Sequence, residues 1–435
     1  AGVEASASTG GQLMPPIMGA GAFVMATYTQ ISYLTIVAVS VLPAILYFFS
    51  VACWIRIEAK KHDITGVDED TPRFMEILRR GGVSFLVPMA VLVGMLVWGF
   101  TPTYAASFAI LAVIASSWLS KTPMGPLAII DALALGARNM VMTAMLLVSV
   151  GLIVMVVETT GIGNTLSLML ADWADGSLII AIVLIALASL VLGMGLPVTA
   201  AYIVLATLSA PALFQLINNA AVIDMIASGT LPQAAHAVFM LADPDALTKL
   251  QAPMTMPEAE ALFALVPADF SSTLFDQALS PAVLTTTLLS AHMIIFWLSQ
   301  DSNVTPPVCL TAFAAAAIAK TPPMATGFTA WRVAKGLYIV PILFAYTPFL
   351  SGDWLIAIEI TVFAAFGIYA LAVGWEGHGE HPIPVWLRPA IFAIGIFLIW
   401  PTGRLSQIAA VVALVALMIL ASRLARRHTA TAKVV

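Results

Sequence analysis

Long apolar runs, separated by short polar segments, make up most of the chain. They lie at about 31–55, 83–100, 102–120, 137–157, 177–217, 282–298, 306–319, 333–350, 353–374, 386–400 and 405–421. A helix of roughly 20 apolar residues crosses a bilayer, and lipid offers its backbone no other hydrogen-bond partner. The runs are continuous and do not alternate with polar residues, which excludes a β-barrel. The pattern predicts an all-α polytopic membrane protein, with two pieces in 177–217.

The composition agrees with a chain that lies in a lipid bilayer. Apolar residues make up 61% of the sequence and charged residues 9%, whereas soluble domains carry about 25% charged residues. The net charge of −5 excludes the basic face of a nucleic-acid-binding protein. Cys53 and Cys309 fit neither a metal motif nor a disulfide framework. Because no catalytic motif is present either, we do not expect an enzyme.

A short sequence pattern occurs twice, 291 positions apart. Residues 11–18 read GQLMPPIM and residues 302–309 read SNVTPPVC, and small apolar residues follow each copy. Pro-Pro removes two amide donors and breaks a helix. Inside a membrane, such a break is tolerated where it lines a cavity or is buried in protein. Two matched breaks predict two re-entrant helical hairpins around a midplane binding site; two ordinary proline kinks are the alternative.

A third helix-breaking motif lies between the two copies. Gly193-Met194-Gly195-Leu196-Pro197 interrupts the apolar run at 177–217. It is either a helix broken at membrane depth or a turn outside the membrane, and the sequence leaves both interpretations open.

These motifs resemble the large membrane subunit of TRAP transporters, most closely its TAXI branch, which often occurs as a fused permease. The resemblance runs from residue 1 to about residue 350, outside 229–281. It is carried by ASTGGQLMPPIMGAGAFVMA (7–26), GMGLPVTAAYIVLA (193–206), AHMIIFWLSQDSNVTPPVCLTAFAAAAIA (291–319) and PPMATGFTAWRVAKGLYIVPILFAYTPFL (322–350).

The resemblance implies an inverted-repeat elevator transporter of the cell inner membrane, driven by a cation gradient. It implies Na⁺ as the coupling ion, with H⁺ as the alternative. The substrate would be a small organic acid, either a dicarboxylate or an amino-acid-like acid, delivered by a periplasmic TAXI-type solute-binding protein. A small four-helix membrane subunit would be a partner, or would be fused upstream. A cation-conducting subunit of a larger complex is the alternative function.

Several oxygen-bearing or small residues at the breaks are candidates for the cation site, because hydroxyl and carbonyl oxygens suit Na⁺ and glycine lets the backbone approach. At the expected first hairpin tip these are Ser8, Thr9, Gly10 and Gly11; at the central break, facing the first hairpin, Gly193, Gly195 and Thr199; and at the second hairpin Asp301, Ser302, Asn303 and Thr305. The candidate substrate ligands are Gln12, Asn303 and Thr305.

Two features depart from the family pattern. Many relatives outside the TAXI branch carry an acid tied to cation binding where Pro197 stands. Asp301 occupies a position where a small or neutral residue is expected, and an intramembrane carboxylate is costly enough to suggest a function. We expect His236 and His292 to be packed in the core, and Lys320, Arg332 and Lys335 to anchor spans at the membrane interface.

The chain is expected to divide into seven regions. These are 1–55, the second arm of the first hairpin and the following span; 56–82, a cytoplasmic polar loop with a surface helix; 83–228, transmembrane helices with the break at 193–199; 229–281, a polar insertion holding a Thr255–Glu258 capping box; 282–320, the second hairpin; 321–421, C-terminal spans; and 422–435, a basic tail. The start of the chain inside a hairpin suggests a piece of a longer permease.

Overall fold

The computed structural model describes residues 1–64, 74–119, 123–242, 246–250 and 252–432. Most of these residues are helical, about 80%. The α-helices are α1 Gly2–Gly11, α2 Gly19–Thr29, α3 Tyr33–Lys61, α4 Phe74–Val97, α5 Pro102–Ser117, α6 Pro126–Thr160, α7 Ile162–Trp173, α8 Leu178–Gly193, α9 Val198–Ala227, α10 Gln233–Ala242, α11 Ala246–Lys249, α12 Met256–Phe263, α13 Ser271–Ala278, α14 Pro281–Ser299, α15 Leu310–Ala319, α16 Pro323–Val333, α17 Gly336–Tyr346, α18 Trp354–Glu376, α19 Arg388–Ile399 and α20 Arg404–Ala432. Short 3₁₀ turns occur at Ala268–Phe270, Gln300–Asn303 and Val385–Leu387.

The all-helical membrane architecture expected from the apolar runs is confirmed. In the described part of the chain, six helical segments are long and apolar enough to cross a bilayer. They are Tyr33–Lys61, Val198–Ala227, Pro281–Asn303, Pro323–Tyr346, Trp354–Glu376 and Arg404–Ala425. Other apolar runs form shorter helices, among them α8 and the hairpin arm α15.

The sequence repeat is also a repeat of structure. α1 ends at Gly11 and α2 begins at Gly19; the corresponding arm of the second hairpin begins at Leu310, 291 positions after Gly19. The bond between the two prolines is cis in both copies. Each Pro-Pro pair lies between two helices, because proline supplies no N–H to continue the first helix.

The first hairpin differs from its expected boundaries. The region 1–55 was expected to open on the second arm, but Gly2–Gly11 already forms a helix of the first arm. The turn lies at residues 12–18. Ser8–Gly11 therefore belong to the last turn of a helix and not to the hairpin tip. The reason is that two glycines can continue a helix, whereas Pro15-Pro16 cannot.

Two polar segments also differ from their expected form. α3 continues to Lys61 and α4 begins at Phe74, so residues 74–82 start a long helix and do not form a separate surface helix. The intervening residues 65–73, which include Arg73, lie outside the described residues. The region expected as a basic tail continues α20 as far as Ala432.

The segment 229–281 folds into short helices with an apolar core of their own. Phe239, Leu262 and Phe275 pack there against Val222 and Ile226 at the end of α9. The predicted capping box is present at the start of α12. The Glu258 carboxylate accepts hydrogen bonds from the backbone N–H and the hydroxyl of Thr255, at 2.9 and 2.7 Å. These bonds lower the pKa of Glu258.

The arm α14 lies in the centre of the main core. Every residue from Leu289 to Ser299 is buried, and the helix packs against α8, α9 and α17. Trp297 contacts Tyr47 and Phe344 edge-on, with ring centroids 6.1 and 5.4 Å apart. This packing holds the end of α14, and the turn that follows it, at a fixed position in the interior.

An ion-pair cluster ties α16 to the ends of α3 and α18. Arg332 donates to both carboxylate oxygens of Glu376, at 2.7 and 2.6 Å, and to Glu58 at 2.6 Å. Lys61 donates to Glu376 at 2.8 Å. The Glu376 side chain is 4% exposed, so its charge depends on these two cations. Arg332, expected to be an interfacial anchor, is thus a partner in this cluster.

Replacing Glu376 with Gln should destabilise the fold, because Arg332 and Lys61 would lose the charge that they surround. We expect a loss on the order of 2 kcal/mol, in the range for hydrogen bonds to charged groups. Thermal unfolding of the purified protein in detergent measures it. Glu359→Gln is the matched control. Glu359 forms a bidentate ion pair with Arg404, whose side chain is 72% exposed, so the substitution should lower the stability by less than about 1 kcal/mol. Equal melting temperatures for the two variants would contradict the account.

Candidate functional site

The turn Gln300–Asn303, which follows α14, is buried although it consists of polar residues. All four residues are at most 7% exposed. The backbone N–H groups of Val304 and Thr305 both bond to the carbonyl of Asp301, at 3.0 and 2.9 Å. Pro306 and Pro307 then supply no N–H, so the helix cannot continue. The sequence therefore forces a break where the chain is enclosed by other helices.

The Asp301 carboxylate is held by two hydroxyl groups. It is 3% exposed, and its Oδ1 accepts from the hydroxyls of Thr305 and Tyr338. These hydroxyls also lie 2.8 Å from each other. Lys335 lies close enough to interact electrostatically with the carboxylate. Asp301 and Thr305 thus lie together, as the functional hypothesis requires. Tyr338 and Lys335, which the sequence did not indicate as site residues, lie with them.

Tyr338 was missed, and Lys335 was interpreted as an interfacial anchor. Lys335 lies over the Trp331 ring, 3.4 Å from its centroid, and one helical turn separates it from Tyr338. Residues three apart share a helix face, so the Lys-x-x-Tyr spacing was the available signal. Nothing in the spacing shows that this face meets Asp301.

The central break packs against the second hairpin. α8 ends at Gly193 and α9 begins at Val198. A Cβ on Gly193 would collide with the Cβ of Ser302, and Ser189 donates to the carbonyl of Leu298 at 2.9 Å. The contact with a buried turn favours a broken helix over a surface turn. The expectation that Gly193, Gly195 and Thr199 face the first hairpin is wrong for Gly193, which faces Ser302.

The other residues of the break are less enclosed. Gly195 is exposed, and a Cβ on it would meet no atom within 4 Å, while Thr199 is half-buried. Asn303, a candidate ligand of both cation and substrate, donates to the side-chain oxygen of Gln300 at 3.4 Å. Of the central-break candidates, Gly193 is therefore the one in close contact with the second hairpin.

The candidates of the first hairpin have different surroundings. The Thr9 hydroxyl donates to the backbone carbonyl of Ala5, in its own helix, at 2.9 Å. Gly10 packs against the rings of Tyr47 and Phe48. Ser8, Gly11 and Gln12 are exposed. α1 does contact the 300–303 turn. The two hairpins thus meet, but the structure gathers the second-hairpin candidates around Asp301 more closely than those of the first.

Two buried N–H donors within four residues of Asp301 in the sequence have no hydrogen-bond partner among the described residues. They are Trp297 Nε1 and Gln300 Nε2, both on residues that are 0% exposed. Buried donors in proteins are nearly always satisfied. Their partners would be oxygen atoms of a ligand or of water. Nothing in the sequence pattern distinguishes these donors from ordinary core residues.

The oxygen atoms around Asp301 suit a monovalent hard cation. The carboxylate, the hydroxyls of Ser302 and Thr305, and the backbone carbonyls at the breaks are all oxygen donors. In the described ranges, no group of three or more His, Cys, Asp or Glu residues could hold a metal ion. A single carboxylate with Lys335 nearby supplies at most one negative charge, which is too little to hold a divalent ion.

Comparison with known families identifies the family of residues 1–350. A family model described as "Tripartite ATP-independent periplasmic transporter, DctM component" matches residues 1–350. This stretch contains both hairpins, the central break and Asp301, and it ends after α17. Neither the curated proteins nor the solved structures that were searched contain a match.

Adding one methyl group at Gly193 should push α8 away from the 300–303 turn. Gly193→Ala places a Cβ against Ser302, and overpacking of this kind costs about 1–3 kcal/mol. We expect a lower melting temperature in detergent. Gly195→Ala is the matched control, because the same methyl group meets open space there. If both variants have the melting temperature of the unmodified protein, the close contact between the break and the hairpin is refuted.

Proposed function

This chain belongs to the DctM-component family of tripartite ATP-independent periplasmic transporters, whose members are large membrane permease subunits, and we propose that it imports a small organic acid with the energy of a cation gradient. Na⁺ is the proposed coupling ion and H⁺ the alternative. The observation that carries the proposal is the buried Asp301 carboxylate in a broken hairpin that packs against a second broken helix. Such paired interruptions are typical of the central sites of secondary transporters.

The proposed cation site lies between the 300–303 turn and the end of α8. Asp301 provides the charge, and the hydroxyls of Ser302 and Thr305 provide neutral oxygens. Gly193 has no side chain, so the backbone of the break can approach the turn closely. The remaining candidate contributors are Ser8, Thr9, Gly10 and Gly11 of the first hairpin, Gly195 and Thr199 of the central break, and Asn303 of the second hairpin.

The proposed movement is that of an elevator, in which both hairpins travel together against a scaffold. Contacts between the repeats support this. Ser6 of α1 donates to the carbonyl of Ala330 in α16, at 2.9 Å, and Gly2 packs closely against Thr329. α1 also contacts α15. Because each hairpin packs on the other, neither can shift alone without breaking these contacts.

The proposed partners follow from the family. We propose a periplasmic solute-binding protein of the TAXI type, which delivers the acid, and a small four-helix membrane subunit, separate or fused upstream. The inner membrane is the proposed location. The substrate ligands proposed from the sequence, Gln12, Asn303 and Thr305, would contact the acid beside the cation.

A cation-conducting subunit is less well supported by the charges. A conduction path needs a series of ionisable groups across the membrane. In the part of the chain that the structure describes, the buried carboxylates are Asp301 and Glu376. Glu376 is neutralised by Arg332 and Lys61, which leaves Asp301 as a single site.

Reconstituted uptake tests the transport proposal. The acid that co-purifies with the solute-binding protein is identified by mass spectrometry and then supplied in labelled form. Proteoliposomes holding the permease and its small subunit should accumulate it only with the binding protein and an inward Na⁺ gradient. Uptake that is the same in choline chloride, and that ignores an imposed pH gradient as well, would contradict cation coupling.

A single substitution tests the site. Na⁺ that binds the folded protein should raise its melting temperature in NaCl relative to choline chloride. Asp301→Asn removes the charge. The NaCl concentration needed for the same rise in melting temperature should then increase at least tenfold, which is equivalent to about 1.4 kcal/mol. Asp353→Asn is the control, since Asp353 is an exposed cap of α18 and asparagine also caps helices. An unchanged Na⁺ response in Asp301→Asn would remove this residue from the site.

A further inference from the structure

A second region with ligand-binding chemistry lies away from the Asp301 turn. A cavity of about 540 Å³ is lined by residues of α2, α6, α7, α9 and α14. Cavities of this size accommodate small molecules. His292 lines it and stands nine residues before Asp301 in the chain, which corresponds to roughly 13 Å along a helix. The cavity and the proposed cation site are therefore connected by α14 but do not coincide.

The lining of the cavity includes hydrogen-bonding groups but no charged side chain. Tyr28 and Thr207 lie on it with their hydroxyl oxygens 3.1 Å apart. His292, 5% exposed, lines it as well, and its Nδ1 lies 3.0 Å from the hydroxyl of Tyr202. The hydrogen bond to Tyr202 occupies Nδ1, so Nε2 is the ring nitrogen available to a ligand.

The hydrogen bond to Tyr202 determines what Nε2 can offer. Tyr202 is fully buried, and a buried phenol hydroxyl usually donates a hydrogen bond to a nearby acceptor. If Tyr202 donates to Nδ1, the neutral imidazole carries its own proton on Nε2. His292 then presents an N–H donor, held in one orientation, to the ligand.

The start of α7 adds further hydrogen-bond donors to the cavity lining. Its N-cap is Gly161, at φ +70°, and no side chain caps the helix. The first N–H groups of a helix have no partner within it and carry the positive end of its dipole. Gly161 and Gly163 both line the cavity, and neither has a side chain that would keep a ligand from these N–H groups.

The rest of the lining is largely apolar, and it includes Val157, Pro211, Phe214 and Leu288. A ligand that matches this lining has one hydrogen-bond-accepting group and an apolar body. A carboxylate satisfies the donors of His292 and α7, and the dipole of α7 favours its negative charge.

We propose that this cavity binds a monocarboxylate with an apolar body, through the Nε2–H of His292 and the N-terminal N–H groups of α7. A second carboxylate would lose its hydration in this cavity without a cationic partner, so dicarboxylates are disfavoured. This narrows the proposed substrate class to monocarboxylates. The inference rests on the proposed function for the role of this ligand as the transported acid, which would occupy the cavity in addition to its position beside the cation at Gln12, Asn303 and Thr305; the binding chemistry follows from the cavity lining.

Direct binding to the purified protein in detergent tests the chemistry of the cavity. The probe is benzoate, followed by calorimetric titration, and it should bind saturably. Succinate, a dicarboxylate, and benzamide, a neutral analogue of the same shape, should bind at least tenfold more weakly. Succinate or benzamide binding as tightly as benzoate, or no benzoate binding, would overturn the proposal. Preference for dodecanoate with no binding of benzoate would indicate a lipid site and would overturn it too.

Variants connect the binding to His292. His292→Leu should weaken benzoate binding at least tenfold, and His292→Gln, which carries an N–H donor near the position of Nε2, should recover part of it. His236→Leu is the matched control, since His236 belongs to α10 and is not part of the cavity wall. Tyr202→Phe keeps the side-chain shape, removes the hydroxyl bonded to His292 Nδ1, and covers the case in which His292→Leu fails to fold; it should weaken binding severalfold. Unchanged benzoate binding in His292→Leu, or in Tyr202→Phe if that variant must replace it, overturns the proposal.

The transport role has a separate readout. Benzoate should compete with the native acid in uptake by the unmodified protein. Benzoate binding without competition would overturn the role of the cavity in transport. The calorimetric assay needs neither a gradient nor a binding protein. Failure of all uptake would therefore count against the proposed function, while the cavity would still be judged by its own binding data.

Discussion

A carboxylate and a turn of polar backbone lie in the interior of a membrane protein at Gln300–Asn303, and both must find partners within the protein. Lipid supplies none, and each unsatisfied group there costs several kcal/mol. The hydroxyls of Thr305, beyond the turn, and of Tyr338, on α17, donate to the carboxylate, and the backbone of α8 packs against the turn at Gly193. The turn can be irregular because these elements enclose it, and the enclosure brings the oxygen atoms together.

The same requirement explains how the two repeats fit together. A re-entrant hairpin exposes its broken ends unless another element covers them. α1 covers part of the 300–303 turn and packs along α15 and α16, while Gly21 of α2 lies against Phe296 of α14. Each hairpin thus shields the other. A body built in this way can move as a unit, which is the physical basis of the proposed elevator.

Much of this arrangement could be predicted from local sequence. The Pro-Pro pairs and the central Gly-x-Gly-x-Pro motif identify the breaks, because proline and glycine act on the backbone itself. The capping box at Thr255 and Glu258 is local in the same sense. The first hairpin turn was placed too early because Gly10 and Gly11 look like a break, although they end a helix. The partners of Asp301 and Arg332 could not be predicted. Tyr338 is 37 residues from Asp301, and Glu58 is 274 residues from Arg332. The packing of helices decides such contacts, and spacing alone does not show them.

A cation between the 300–303 turn and the end of α8 is the central element of the proposed transport. An experimental density map of the protein in a lipid nanodisc, determined once in NaCl and once in choline chloride, tests this most directly. We predict ion density in NaCl beside the Asp301 carboxylate, within ligand distance of Thr305 or Ser302 and of a carbonyl oxygen at the α8 break, and no such density in choline chloride. The same feature in both maps, or ion density in NaCl only at a place remote from Asp301, would contradict the account.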